Sequence, residues 1–321
     1  MIDRKRRTVS MSISQLRLLR TKLWVRKIAG TLLLLVSIPT LRKAFGTGVQ
    51  QIQKPKGVDW ERIDIESIHG EWLSPPDAPA DAVIFHIHGG GGVLGLSNST
   101  RLMTGYLSLA CNLRILLSDY RLAPEHPFPS GLNDCVATYR WLLSKGFIPQ
   151  RIVMAGDSAG GHLMLSTLLM IRDAGLPLPA ATVGISPVTD PTCSGKSMRS
   201  NALRDAILSP TFARTMMHHY VGDHPMNDPY LSPLITDLHN LPPILIQAGA
   251  DEILLDDSRR FSDCARAAGV DLTLEIWPNM WHCWHYWVPE LPEASQAIEH
   301  IAKFIKSHVD LSPALMNIQS G

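Results

Sequence analysis

The sequence predicts an α/β fold: a mostly parallel sheet with helices on both faces. From about residue 58, short apolar runs alternate with longer segments of helical period. The runs Val83-Ile-Phe85, Ile115-Leu-Leu117, Ile152-Val-Met154 and Ile244-Leu-Ile246 are continuously apolar, as strands buried on both faces must be. Gly146, Gly175 and Gly269 fall where helix C-caps are expected.

In chain order, strands are expected over residues 61–67, 83–88, 114–119, 151–155, 181–186, 243–248 and 272–277. Helices are expected over 129–145, 161–174 and 256–268. Residues 195–225 break the rhythm; rich in Met, His and Asp and without a clear strand, they read as an insertion. A chain of 321 residues suits one large domain with a small appendage. With 45% apolar and 18% charged residues it can bury a sizeable core, which excludes global disorder.

The cysteines are 111, 135, 193, 264 and 283; an odd count, at spacings that match no disulfide framework or zinc site, indicates a reducing compartment, the cytoplasm. Net charge is +1, but residues 1–50 hold 11 Lys and Arg against one acid, Asp3. The remainder is therefore mildly acidic, which argues against nucleic acid as a partner.

The basic arm, residues 1–57, is set apart from an α/β domain over 58–321. In it Ile13, Leu16, Leu19 and Leu23 recur at helical spacing between Arg17, Arg20, Lys22 and Arg26. Such a helix packs on protein or lies on an anionic membrane surface, and packing on protein is the favoured reading. The apolar run 28–38 is too short to span a bilayer and lacks a signal-peptide cleavage site. It reads as a buried helix.

In parallel sheets of this kind, chemistry gathers at the carboxyl ends of the strands. After the strand at 152–155 comes Gly156-Asp157-Ser158-Ala159-Gly160, a nucleophile elbow in its strand–turn–helix setting. The helix that follows offers the Ala159 N–H to a developing oxyanion. After the strand at 83–87 comes His88-Gly89-Gly90-Gly91-Gly92, read as an oxyanion loop rather than a phosphate cradle, since no Lys-Ser/Thr follows. Asp251 follows the strand at 244–247, and His282 the one at 274–277. Serine needs a base and the base needs an orienting acid, and the order Ser, Asp, His suits this arrangement. Glu252, Asp256 and Asp257 are rivals to Asp251, the last two on the following helix. His285 rivals His282 but reads better as a packed or solvent-facing histidine, and His218 and His219 as surface or lid residues. The cluster His282-Cys283-Trp284-His285 has no second ligand pair to complete a metal site, so no metal is expected.

His88-Gly-Gly-Gly91, Asp119-Tyr-Arg-Leu-Ala-Pro-Glu-His-Pro-Phe-Pro129, Gly156-Asp-Ser-Ala-Gly160, Ala250-Asp-Glu-Ile-Leu-Leu-Asp-Asp257 and Met280-Trp-His282 together resemble the bacterial hormone-sensitive-lipase family of α/β-hydrolase esterases. The likeness runs from about Trp60 to Val309 and is greatest to the acetyl-hydrolase and monoterpene-lactone-hydrolase branch. The resemblance implies an eight-stranded α/β-hydrolase sheet and a helical cap built from the N-terminal arm and the insertion near 195–225. It implies the triad Ser158, Asp251 and His282, oxyanion N–H groups from Gly90, Gly91 and Ala159, and His88 with Gly89 supporting the loop. It also implies hydrolysis of short and medium acyl esters without a cofactor, and a homodimer. Gly92 and Cys283 depart from the family pattern, Gly92 replacing a bulky residue; with Asp157, Gly92 is expected to shape the substrate pocket. Rival readings are a lactone, amide or sugar-acetate hydrolase, and a receptor-like binding protein; retention of His282 argues against the last.

Overall fold

The alternation of side chains along each central strand divides the interior into two cores. In β3 (Val83–Ile87), Val83, Phe85 and Ile87 join one apolar cluster and Ile84 the other. The same division holds for β5 (Ile152–Asp157), where Ile152 and Met154 face one way and Val153 and Ala155 the other. A strand apolar on both faces needs helices on both, and they are present. One face is covered by α4 (Ser130–Ser144), α5 (Ala159–Asp173) and α8 (Leu255–Ala267); the other by α3 (Asn98–Cys111) and α9 (Pro292–His308).

The computed structural model describes residues 13–32, 36–47 and 55–310. Its sheet has eight strands in the order β1-β2-β4-β3-β5-β6-β7-β8. The others are β1 (Asp59–Ile65), β2 (Ile68–Ser74), β4 (Arg114–Asp119), β6 (Ala181–Ile185), β7 (Ile244–Gly249) and β8 (Leu272–Trp277). β2 is antiparallel to both β1 and β4; every other pairing is parallel. This is the α/β-hydrolase sheet. The strand absent from the sequence reading is β2. Its run Ile68-His-Gly-Glu-Trp-Leu-Ser74 carries His, Gly and Glu in the middle, and its hairpin with β1 turns through Glu66 at φ 57° rather than through a glycine. Gly146, Gly175 and Gly269 all have positive φ, as helix-ending residues should.

The arm forms α1 (Ile13–Leu32) and α2 (Ile38–Thr47). Leu16 and Leu19 pack on the second core and Leu23 is buried in it, whereas Leu18 and Trp24 are exposed. Lys27 Nζ donates to the carbonyls of Ala202 and Asp205, so this basic group is bound to protein. Of the apolar run 28–38, residues 33–35 lie outside the described ones. Among the described residues no helix is long and apolar enough to cross a membrane. The insertion carries the single turn α6 (Ser197–Ser200) and then α7 (Pro210–Val221), which Ser209 caps by accepting from the Phe212 N–H. All five cysteines are free; Cys264 is exposed and the other four are buried.

Phe85 is fully buried at the centre of the sheet. Phe85→Ala should lower the unfolding free energy by about 3–5 kcal/mol, read from urea denaturation. A loss below about 1 kcal/mol would contradict the two-core packing.

Candidate active site

β5 ends at Asp157, and α5 begins two residues later at Ala159. Ser158 makes the turn between them at φ 55°, ψ −120°, a conformation that strains a non-glycine residue. The turn fits only because its neighbours lack side chains. A Cβ on Gly156 would lie 2.4 Å from the Gly160 oxygen, and one on Gly160 would lie 2.0 Å from the Ile87 oxygen.

His282 follows β8, and its Nε2 lies 2.9 Å from Ser158 Oγ. Its other nitrogen, Nδ1, faces Glu252 Oε2 at 3.7 Å. Asp251, the acid expected there, is turned away. Its Oδ2 accepts from Arg20 Nη2 at 2.8 Å and its Oδ1 from Arg204 Nε at 2.9 Å. The two acids are neighbours in a turn, so one side chain faces the arm and the other the interior. Glu252 is the interior one, fully buried, with the Ser186 hydroxyl donating to Oε2 at 2.6 Å. The Ser186 oxygen also accepts the Cys283 N–H at 3.2 Å, which ties the acid to the histidine loop. Adjacent acids give no sequence signal to separate them, and Ser186 shows only as a serine at a strand end.

Burial pushes the Glu252 carboxyl up, against the lowering effect of His282 and Ser186, and it ends above the ordinary value. Burial alone would lower His282; the Cys283 sulfur, 3.5 Å from Nε2, and the Glu252 carboxylate both raise it, to well above an ordinary histidine. Burial pushes the Cys283 thiol up to about 11.

Gly89 donates its N–H to Asp157 Oδ2 at 3.0 Å. Gly90 and Gly91, at φ 110° and 68°, line a cavity of about 420 Å³ together with Ser158, Ala159 and His282. His88 stacks on Tyr120, ring centroids 4.3 Å apart, and the Tyr120 hydroxyl donates to the His88 carbonyl at 2.8 Å. The loop is thus braced from beneath. Leu94, Val188, Leu208, Phe212, Met217 and Leu254 give the cavity apolar walls. Arg42 also borders it, but its guanidinium is held by the Val93 and Ala123 carbonyls and by Glu125.

Two residues expected in the pocket are elsewhere. Asp157 is fully buried beneath it, bonded to His86 Nε2 at 2.8 Å, to Gly89 and to the Tyr286 hydroxyl. It is a brace, not a wall. Burial alone would raise its carboxyl, but the bonds to His86 and Tyr286 hold it below the ordinary value. Gly92 does not line the cavity either. A Cβ there would lie 2.4 Å from the Tyr220 ring, and one on Gly91 2.6 Å from the Met216 Cβ. The missing side chain therefore admits α7, not substrate. Cys283 is buried and likewise absent from the cavity wall. His285 is a packed histidine, Nε2 2.7 Å from Gln247 Oε1, held neutral by burial that pushes it down to about 3.

The chain is similar to proteins of known kind along most of its length. A family model described as alpha/beta hydrolase fold matches residues 84–286. An acetyl-hydrolase of Streptomyces hygroscopicus is 40% identical over 237 residues, which cover 74% of this chain and 79% of that one. An esterase of Acinetobacter venetianus is 37% identical over 246 residues, 76% of this chain and 81% of that one. Among solved structures, an esterase from the bacterial hormone-sensitive lipase family superposes with a TM-score of 0.84 at 38% identity, covering 90% of this chain and 98% of its own. An esterase/lipase from an uncultured bacterium gives 0.81 at 41% identity, covering 85% and 92%.

Gly92→Ala should force Tyr220 and α7 off the loop, lowering the thermal midpoint by several degrees. The paired change Gly92→Ala with Tyr220→Ala should not recover it fully, because φ 69° costs an alanine roughly 1 kcal/mol on its own. An unchanged midpoint in Gly92→Ala would contradict this packing.

Proposed function

Since the chain belongs to the bacterial hormone-sensitive-lipase family of α/β-hydrolases and is a carboxylic-ester hydrolase, we propose that it cleaves short and medium acyl esters through Ser158, His282 and Glu252. The carrying observation is the 2.9 Å contact of His282 Nε2 with Ser158 Oγ beside an apolar cavity. In this reading the Ser158 hydroxyl gives its proton to His282 as Oγ attacks the ester carbonyl carbon. The N–H groups of Gly90, Gly91 and Ala159 hold the oxyanion. The ester C–O bond then breaks, and the departing alcohol takes the proton from His282. Water repeats the sequence on the acyl-enzyme: its proton goes to His282 and its oxygen to the acyl carbon, the bond from that carbon to Oγ breaks, Oγ takes the proton back from His282, and the carboxylic acid leaves. Glu252 keeps Nδ1 protonated and stabilises the imidazolium.

Apolar walls and the absence of a free cation among the cavity residues support a neutral ester with a hydrocarbon acyl group. We propose further that residues 1–57 and the 195–225 insertion act as the cap. Support comes from Phe212 and Met217 of α7 on the cavity wall and from the contacts of Lys27 with the insertion. The free thiols support a reducing, cytoplasmic setting.

Ser158→Ala should fold normally and lose at least ~10³-fold in kcat, and an organophosphorus ester should label Ser158 in the wild type. Near-wild-type turnover would refute the nucleophile. Across p-nitrophenyl esters of graded length, kcat/KM should be highest at short and medium chains and low for palmitate.

The acid limb of the pH–rate profile supplies the electrostatic test. Activity needs neutral His282, so it falls as pH drops through the histidine's midpoint. Burial opposes the imidazolium, but Cys283 and the Glu252 carboxylate at Nδ1 favour it and hold that midpoint above an ordinary histidine. Glu252→Gln should lower the midpoint and reduce kcat by about 10²–10⁴-fold. A midpoint unmoved by the substitution would remove Glu252 from the reading.

A further inference from the structure

We propose that Arg20, on the N-terminal arm, is a positioning residue for ester hydrolysis: its guanidinium fixes the acid loop and the histidine loop against each other, so turnover depends on the arm being docked. This rests on the reading of Glu252 and His282 as acid and base.

One guanidinium meets three segments that are far apart in sequence. In the acid loop, Nη2 donates to Asp251 Oδ2 at 2.8 Å. In the histidine loop, Nη1 donates to the Asn279 carbonyl at 3.2 Å, and the group lies over the Trp281 ring, 5.9 Å from its centroid. In the insertion, Nη2 donates to the Arg204 carbonyl at 2.9 Å. Asp251 immediately precedes Glu252, and Trp281 immediately precedes His282. The catalytic pair thus hangs on the two residues that Arg20 grips.

The pair has little slack to lose. Glu252 Oε2 faces Nδ1 across 3.7 Å, a distance set by the placement of both loops. The Asp251 N–H donates to the Met280 carbonyl at 2.9 Å, and the Cys283 N–H donates to the Ser186 hydroxyl that itself bonds Glu252, so hydrogen bonds join the loops on the inner side. Arg20 is the charged stitch on the outer side. The Asp251 side chain is 3% exposed, and its other cation, Arg204, is 61% exposed. Without Arg20 a buried carboxylate keeps only a solvent-screened partner, and it will move toward water to recover the lost interaction. That movement draws Glu252 from His282.

A lysine does not replace this group. Its single ammonium is a point charge, whereas the planar fork reaches a carboxylate and two carbonyls while stacking on an indole.

The experiment measures kcat, KM and the acid limb for p-nitrophenyl butyrate in the full-length chain. Values are taken per site titrated with an organophosphorus ester, so unfolded protein does not count. Arg20→Gln should lower kcat roughly tenfold, leave KM within about twofold, and move the acid limb down in the direction of Glu252→Gln. Asp251→Asn should do the same, and the double variant should be no worse than either alone. Unchanged kcat and limb, additive losses in the double variant, or a loss confined to KM or thermal midpoint would overturn the proposal. If Arg20→Gln yields no titratable sites, Arg20→Lys is read in the same way, with a smaller loss expected and wild-type kcat overturning the idea. Wild-type activity in Glu252→Gln would refute the acid itself. A crippled Glu252→Gln beside a wild-type Arg20→Gln would leave the acid standing and refute Arg20 alone.

Discussion

The carbonyl oxygen of Ile87, at the end of β3, lies 2.0 Å from where a side chain on Gly160 would begin. Most of the site depends on that closeness. It brings the glycine loop that leaves β3 beside the serine turn that leaves β5, so the loop backbone and the Ser158 hydroxyl come together without any long connection. It also confines the turn, because Gly156 and Gly160 meet each other as well as the neighbouring strand. Ser158 accepts a strained backbone in return for an Oγ raised to meet His282. Beneath it, Asp157 links β5 to the loop through Gly89 and to the wall through Tyr286, so the two strand ends are held by a buried carboxylate as well as by contact.

The loop has a second duty on its upper side. Gly91 and Gly92 meet Met216 and Tyr220, and α7 therefore rests directly on the glycine loop. Closeness of this kind makes the acyl cavity a joint product of the catalytic domain and α7. A shift of the helix would disturb both the shape of the cavity and the course of the loop backbone. The helix in turn is tied to the arm, with Thr31 bonded to Ser209 at the start of α7.

The parallel strands, the elbow and the histidine that meets the serine were legible in the sequence because each leaves a local signature: an apolar run, a glycine at a fixed offset, a histidine just past a strand. β2 left none, since its middle residues are polar and its pairing partners supply the evidence of strand. The carboxylate that faces His282 is not the one expected, for a similar reason. Asp251 and Glu252 share every local property, and only the arrival of Arg20 and Arg204 from distant segments shows which side of the turn is which. Gly92 was read as empty space facing substrate. A glycine announces that something approaches closely, but the sequence does not say what, and here it is the Tyr220 ring.

The unequal burial of the thiols has a practical consequence. Of five free cysteines, Cys264 alone is exposed. It sits on α8, the helix that begins three residues after Glu252. The chain thus carries one surface-exposed attachment point for a maleimide dye, on the element that extends from the acid loop. With Cys193, which lines the cavity, replaced, an optical reporter fixed there would register the posture of that loop as the arm docks or leaves.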